Sequence, residues 1–536
     1  MRITFDLLFS SAVRVCKIHS TFRRCCGVQG SEKVDKIIEL AKRRGLFWPS
    51  YEIYGGVSGF LTFGPLGAVL KRRIEDKFRE FYVRPLGILE IESSVILPSK
   101  VFEASGHVEH FKEPMVECTN CRRRFRVDHL LQEKAGMSDT ETEKLDLAGL
   151  KSEIEKRNVR CAECGGVLGE PKYFMTMFTT TIGPYSDAVG YGRPEAAQSI
   201  FVEFRRLWEQ ARERLPFGVV QIGHALRNEI SPRQGPIRLR EFTIMDVEFF
   251  FDPEQPNCAQ LKEVENETLR LIRAEAKLKG DKEPITVTVK EALQKGYIKA
   301  EWQAYFMALA QRFLREFGVP NEKQRFMEKL DWERAHYSAQ SFDQEVYLER
   351  WGWTEVSGHA YRTDYDLKSH MEASGVDMRA FKEGKRFIPH VVEPSFGSDR
   401  LVYVAVEYAF QPKKDRALLS LPRELAPVQV GVYPLVGKDG LPEKARQVHQ
   451  TLIAEGFAAE YDESGSIGRR YARADEAGTP LGVTIDYDTL KDNAVTIRDR
   501  DSWRQVRTPS DQLASVLRDY FYHKKEFEDL GQLVKG

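Results

Sequence analysis

Between Leu226 and Glu248 the chain reads LRNEISPRQGPIRLREFTIMDVE, a stretch that leaves the backbone few options. Residues 219–229 alternate and are β-rich, residues 237–251 are β-rich again, and residues 231–236 between them concentrate Ser, Pro and Gly, the punctuation of a turn. Two strands doubling back on each other are the expected result. Side chains two apart on a strand share a face, so Arg227 pairs with Glu229, and Arg238, Phe242 and Asp246 line one side of the returning strand. Two arginines, two carboxylates and an aromatic ring then converge on one platform.

Such a platform suits a nucleoside triphosphate. Planar guanidinium forks match phosphate oxygens, a carboxylate can accept from an exocyclic amine, and a phenyl ring can stack on a base. No GxxxxGK[ST] phosphate cradle occurs in the chain, so side chains must hold the phosphates. A solvated hairpin with ordinary cross-strand ion pairs is the competing reading. The aromatic residue amid the charges, and a second segment at Glu393-Pro394-Ser395-Phe396-Gly397-Ser398-Asp399-Arg400, favour the nucleotide. That second segment reads as a strand end turning through Gly397 into an apolar helix over residues 401–410.

Arg227-x-Glu229, a loop and Arg238-x-x-x-Phe242 resemble the second signature motif of the class II aminoacyl-tRNA synthetases, and the Glu393–Arg400 segment resembles the third. Arg-Asn-Glu-Ile-Ser-Pro-Arg from Arg227, Arg193-Pro194-Glu195-x-Ala197-Gln198 and Glu-Pro-Ser-Phe-Gly from Glu393 narrow the likeness to the glycyl-tRNA synthetases of the homodimeric archaeal and eukaryotic type. The similarity runs from about residue 37 to the C-terminus. It implies an antiparallel class II sheet flanked by helices, with a C-terminal mixed α/β anticodon-binding domain. It also implies ATP-dependent ligation of glycine to tRNA(Gly) through a glycyl-adenylate, with release of AMP and pyrophosphate.

The resemblance assigns roles by position. Arg227 would hold the α-phosphate of ATP, Glu229 would accept from the adenine amino group, and Phe242 and Arg400 would sandwich the ring. Arg227, Glu229 and Arg400 would be the catalytic set. Arg238 would reach the γ-phosphate, Asn228, Leu239 and Val356 would complete the ATP site, and Glu355 would be a Mg2+ ligand. Glycine would be held by Glu195, Asp246, Glu393, Pro394 and Ser395, with Arg126 as an added candidate. Asp246 stands where that family has Glu, and Ala196 and Ser199 replace its usual Thr and Gly. Glycine offers an ammonium, a carboxylate and no side chain, so acids and walls that exclude a methyl must select it. Two other readings stand beside this one: a class IIa synthetase for threonine, proline or histidine, and a synthetase-like accessory subunit that binds nucleic acid without catalysis.

The cysteines carry a separate signal. Of eight, Cys118-x-x-Cys121 and Cys161-x-x-Cys164 form two chelating pairs, and Gly165-Gly166 permits a tight turn after the second. Four thiolates specify a closed structural Zn2+ site. The 39 residues between the pairs exceed a compact zinc ribbon, and reduced cysteines binding nothing are the alternative. Arg122, Arg123 and Arg124 beside the first pair read either as contacts to the tRNA acceptor end or as a solvated basic turn.

At 536 residues the chain is long enough for several domains. Eighty basic residues balance eighty acidic ones, so any tRNA footprint is local. No apolar run approaches membrane-spanning length, and a cytoplasmic, homodimeric protein is expected. Residues 1–30 carry Arg2, Arg14, Lys17, Arg23 and Arg24 against Asp6 and read as a disordered or non-native extension. Residues 31–420 form the expected catalytic domain, with a zinc-type insertion at 112–171 and a helical insertion at 257–345. Within the latter, His336-Tyr337 is assigned no chemistry. Helices are expected over residues 31–44 and 66–82, the second at a dimer interface by resemblance. Past the prolines near residue 425, strands and helices alternate through residues 425–536, and Arg498, Arg500, Arg504 and Arg507 are candidate tRNA contacts.

Overall fold

The computed structural model describes residues 32–534 apart from 139–140, 143, 185–187, 231, 233–234 and 414–415. The extension expected at residues 1–30 lies outside the described residues, as does the middle of the turn at 231–236.

Nine strands form the central sheet: β1 (Leu89–Ile91), β2 (Phe217–Leu226), β3 (Glu241–Phe251), β4 (Thr268–Ile272), β5 (Ile285–Thr288), β6 (Gln324–Glu328), β7 (Gln340–Leu348), β8 (Gly352–Thr363) and β9 (His390–Gly397). Their spatial order is β5-β4-β6-β7-β8-β9-β3-β2-β1. Neighbours run antiparallel except β1 with β2 and β4 with β6. The ribbon expected from the sequence is β2 paired with β3, in register from Phe217 opposite Phe250 to Leu226 opposite Glu241. Central β3 is buried on both faces from Thr243 to Phe251, which is why its apolar residues do not alternate.

The 257–345 block differs from its expected form. It is not a helical insertion: β4, β5, β6 and part of β7 belong to it and extend the main sheet. Its helix formers populate one long helix, whereas β4 and β6 are five residues each and find partners far along the chain. Pairing at that sequence distance leaves no local periodicity long enough to read.

The helices around the sheet include α1 (Glu32–Arg43), α2 (Pro65–Phe78), α3 (Glu301–Arg315) and α4 (Ser398–Ala409). Pro65 occupies the first turn of α2, where its missing N–H costs nothing. Leu70, Ile74 and Phe78 on its stripe are wholly buried, worth about 2 kcal/mol each, and Tyr82 in the π-turn after it is wholly buried as well. A side chain at Gly67 would strike the Leu46 carbonyl oxygen at 1.7 Å, so only glycine lets α2 approach that backbone. Phe78 and Tyr82 pack on Phe313 of α3 and Phe396 of β9. The stripe expected to meet a second subunit is therefore spent largely in the subunit's own core.

The cysteine-bearing insertion is a three-stranded sheet, Arg124–Arg126, Lys112–Glu117 and Lys172–Met175, with helices Val127–Ala135 and Leu147–Lys156. The C-terminal unit has six strands, β10 (Val430–Pro434), β11 (Ala459–Tyr461), β12 (Leu481–Ile485), β13 (Ala494–Asp499), β14 (Gln505–Pro509) and β15 (Gln532–Leu533), in the order β11-β10-β12-β13-β14-β15. Helices α5 (Leu441–Ala454), α6 (Ile467–Ala477) and α7 (Leu513–Phe521) accompany them around a separate core. Arg43 and Arg44 meet Glu476 of α6, tying this unit to α1. Two candidate tRNA contacts prove to be internal: Arg498 is buried against Asp475 at 3.0 Å, and Arg500 donates to the Gly478 and Leu421 carbonyls. Arg504 and Arg507 pair with Glu528 and with Asp486 and Asp492. Among the described residues no helix is long and apolar enough to cross a membrane.

Candidate functional site

A cavity of about 570 Å³ opens over β3, β9, β8 and β7, within the range that holds small ligands. Arg227, Phe242, Arg238 and Glu229 line it from the ribbon, Arg400 from α4, and Glu355 from β8. Leu239 and Val356 supply apolar wall. Phe242 and Arg400 thus line one chamber, although 158 positions separate them. The ribbon departs from its expected form in one respect. β2 ends at Leu226 and β3 begins at Glu241, so Arg227, Glu229 and Arg238 sit on the loop and not on the ladder.

Backbone bonds fix that loop. Arg227 N–H donates to the Arg240 carbonyl at 2.8 Å and Asn228 N–H to the Thr176 carbonyl at 2.6 Å. Arg227 Nε donates to the Pro194 carbonyl at 3.0 Å, and its guanidinium lies 5.4 Å from the Phe242 ring centre, in cation–π range. Arg238 pairs with Glu229 at 2.9 Å, so in this state the carboxylate expected to face a base is closed by the guanidinium expected to face a phosphate. Arg400 Nε donates to the Ile237 carbonyl at 3.1 Å and its Nη1 to the Glu355 carbonyl. The Glu355 side chain is 49% exposed within the chamber; the enclosing walls work to raise its carboxyl, but Arg400, Lys329, Arg227 and Arg238 together hold it below its ordinary value. A carboxylate among four cations is the arrangement that a magnesium-bound polyphosphate would complete.

Beside these groups lies an acidic pocket built around a residue that sequence reasoning missed. Arg362, wholly buried near the end of β8, donates to Asp366 twice at 2.8 Å, to Glu393 at 2.9 Å and to Glu195 at 3.3 Å. Tyr337 stacks on its guanidinium at 3.6 Å and donates its hydroxyl to Glu195 at 3.2 Å. The pair assigned no chemistry therefore contributes Tyr337 to the cavity wall. His107 lies 3.3 Å from Glu195. Burial would raise Glu195, yet His107 and Arg362 hold it well below the usual carboxylate range. Burial wins at Glu393, pushed up to about 7 despite Arg362, and at Asp246, pushed up to about 6. Glu248, next along the same face of β3, is buried with neither carboxylate oxygen partnered among the described residues, and burial raises it well above its ordinary value. Carboxyl groups outnumber the guanidinium here, an imbalance that a substrate ammonium would offset.

The remaining expected contacts divide. Glu195, Glu393 and Ser395 line the cavity, whereas Asp246, Pro394, Asn228 and Arg126 are not on its wall. Asp246 accepts from Ser395 Oγ at 2.6 Å and from Ala196 N–H at 2.8 Å, so the shorter acid recedes and Ser395 presents the polar surface in front of it. Arg126 is closed by Glu113 and Asp128. Gly223 leaves the space that Arg193 fills: a Cβ there would lie 2.4 Å from Arg193 Nη2. Arg193 then donates to the His224 carbonyl at 2.8 Å and orients the Glu195 turn without touching the cavity.

The two cysteine pairs meet despite the residues between them. Cys118 and Cys164 Sγ lie 3.6 Å apart, as do Cys121 and Cys161, and all four sulfurs fall within 4.8 Å of one another. Tetrahedral Zn–S bonds of about 2.3 Å put sulfurs about 3.8 Å apart, so the donor set fits such an ion. A bridge between Cys118 and Leu168 closes the long loop, and Cys161 N–H donates to the Gly166 carbonyl.

Comparison with known proteins gives a consistent picture. A family model described as an anticodon binding domain matches residues 429–520, the C-terminal sheet and its helices. The chain is 45% identical to the glycine–tRNA ligase of Aeropyrum pernix, an alignment covering 94% of this chain and 99% of that one. It is 41% identical to the glycine–tRNA ligase of Methanocaldococcus jannaschii, covering 90% and 98%, and 42% identical to that of Pyrococcus furiosus, covering 92% and 99%.

Proposed function

The chain belongs to the glycine–tRNA ligase family, and from that premise we propose that its cavity activates glycine with ATP and delivers it to tRNA(Gly). The observation that carries this reading is the meeting of Arg227, Phe242 and Arg400 with the acidic pocket of Glu195 and Glu393 in one chamber. The adenine ring would lie between Phe242 and Arg400, the α-phosphate against Arg227 and the outer phosphates toward Arg238, which would exchange Glu229 for them. Glu229 would then be released to accept from the adenine amino group.

A glycine carboxylate oxygen attacks the α-phosphorus, the bond to the bridging oxygen breaks, and pyrophosphate leaves with the electron pair. A carboxylate nucleophile needs no general base, so the contribution of the protein is positioning and offsetting of charge. Glu355 would hold Mg2+, which when bound offsets phosphate charge. The 3′-hydroxyl oxygen of the tRNA terminal ribose then attacks the carbonyl of the adenylate, the bond from that carbon to the phosphate oxygen breaks, AMP departs with the electron pair, and the hydroxyl proton passes to the departing phosphate or to solvent. Glu195 and Glu393, steadied by Arg362 and Tyr337, would take the ammonium. An alanine methyl would collide with the same walls, and exclusion by clash makes a separate editing site unnecessary.

ATP–pyrophosphate exchange measured with each of the twenty amino acids tests this directly. Exchange with glycine alone is expected. Exchange with threonine, proline or histidine instead would transfer the chain to another specificity, and exchange with none would leave a binding protein.

Proton linkage gives a second expectation. Glu393 and Asp246, pushed up to about 7 and about 6, hold protons in the empty pocket at low pH and attract an ammonium only once ionised. Glycine KM should therefore be high at pH 5.5 and fall as pH rises toward 8, by up to about tenfold per pH unit for each proton displaced. A glycine KM that does not move over this range, with ATP saturating, would remove Glu393 from the ammonium site.

The cysteine cluster is proposed to hold a structural Zn2+ that closes the insertion. Metal analysis of the purified protein should find about one zinc per chain, lost in Cys118→Ser together with stability of the insertion. Zinc-free wild-type protein of normal stability would end that assignment. Homodimerisation is proposed as well. Tyr51, Ile53, Tyr54 and Val57 expose apolar surface that a second copy would cover.

A further inference from the structure

The block of residues 257–345, from which sequence reasoning drew no chemistry, sends a lysine into the cavity. Lys329 follows β6, whereas Arg227 and Phe242 belong to the β2–β3 ribbon, with β7, β8 and β9 between them. Its backbone N–H is fixed by the Ser341 carbonyl at 2.9 Å, and its Nζ stands 3.1 Å from Asp343 Oδ2. The side chain remains 31% exposed, on the cavity wall, so it is not sealed into its ion pair. Asp343 is its resting partner: burial and the neighbouring Glu355 push the Asp343 carboxyl up, while burial works against the Lys329 ammonium but Asp343 and Glu355 hold it above its ordinary value.

Lys329 joins Arg400, Arg227 and Arg238 as the cations acting on Glu355. Those three arginines come from the ribbon and α4, and Lys329 supplies positive charge on the far side of the same carboxylate. We propose that Lys329 is a phosphate contact of the bound nucleotide, parked on Asp343 while the chamber is empty. The inference rests on the reading of the cavity as an ATP site. An ammonium on a flexible four-carbon stem suits this position, because it can leave Asp343, meet the outer phosphates and follow pyrophosphate as it departs, which a rigid guanidinium fork does less readily.

The test is steady-state exchange kinetics on Lys329→Met, which keeps the stem, on Lys329→Arg, and on Asp343→Asn, which frees the lysine. Lys329→Met should raise the KM for ATP, and for pyrophosphate in the reverse direction, by about tenfold, the usual scale for one lost charge-assisted bond. Glycine KM should stay within about twofold and the melting temperature close to wild type. Lys329→Arg should recover part of the loss, and Asp343→Asn should leave the ATP KM unchanged or lower it. A structural ion pair behaves otherwise: both Lys329→Met and Asp343→Asn would lower the melting temperature, and glycine and ATP KM would rise in step. That pattern, or unchanged ATP and pyrophosphate KM in Lys329→Met, overturns the proposal. Wild-type protein is the control. If it exchanges with glycine, failure of the lysine variants removes this contact alone; if it exchanges with no amino acid, the ATP-site reading falls and this contact with it.

Discussion

Replacement of Arg227 by alanine should lower glycine-dependent ATP–pyrophosphate exchange by about 10²–10³-fold, the scale on which a pre-positioned donor to developing charge contributes. The residue is held for this by three separate features. Its backbone N–H is bonded to Arg240, its Nε to Pro194, and its guanidinium face rests over Phe242. The fork is therefore oriented before substrate arrives, and the reaction does not have to order it. Lysine at the same position should recover little, because a point charge cannot reproduce a planar fork spanning two phosphate oxygens. The melting temperature should hardly change, since Arg227 is only partly buried and its loss leaves no buried charge unpaired. Exchange near the wild-type rate in Arg227→Ala would remove the residue from the α-phosphate.

Arg362→Met should have the largest effect on stability. The guanidinium is wholly buried and pairs with Glu195, Asp366 and Glu393, so its removal leaves three buried carboxyls without their cation. Breaking a buried pair on one side costs about 3–5 kcal/mol, whereas a surface pair is worth under about 1 kcal/mol. Glycine binding should be lost along with stability. Glu195, now held low by His107 and Arg362, would move up, and Glu393, already pushed to about 7, would move further. The sign of the pH dependence follows. In the variant these carboxyls prefer to be protonated, so its deficit against wild type should narrow as pH falls from 8 to 5.5 and widen above neutrality. Thermal melts across that range, run beside glycine KM, measure both. Equal stability of the two proteins at pH 8 would show that Arg362 does not carry the pocket.

The group of residues expected to hold a nucleotide was legible as a group because its members are dense in sequence and of unusual types. Arg227, Glu229, Arg238 and Phe242 fall within sixteen positions, and Arg400 stands at a strand-to-helix corner that Gly397 announces. The alternation of helices and strands in the C-terminal unit was equally open to reading, since segments such as 467–477, a helix, and 481–485, a strand, carry complete local patterns. The acidic pocket was not. Arg362 meets Glu195 across 167 positions, and Tyr337 meets it across 142. A buried arginine in a mixed strand looks, in one dimension, like any exposed one. The Arg362-x-x-x-Asp366 spacing was the available signal, and alone it denotes an ordinary surface pair.

Misreadings followed the same division. The 257–345 block has the composition of helices, but its short strands are stabilised by neighbours in the sheet, and that contribution exceeds local propensity. Arg498 and Arg500 are basic residues near strand ends, a pattern shared by RNA contacts and by internal ties, and burial against Asp475 and two carbonyls makes them the latter.

By itself the sequence determined which chemical groups were present, the local elements that carry their own periodicity, and the ATP-type motifs whose members lie close along the chain. The tertiary structure alone decided which acids share Arg362, that four distant cysteine sulfurs meet, and that Lys329 reaches the wall of the same cavity as Arg227 and Arg400. The physical reason is range. Propensity, capping and turn chemistry act over a few residues, whereas burial and Coulomb interaction depend on distance in space, and sheet pairing brings together side chains that the chain keeps more than a hundred residues apart.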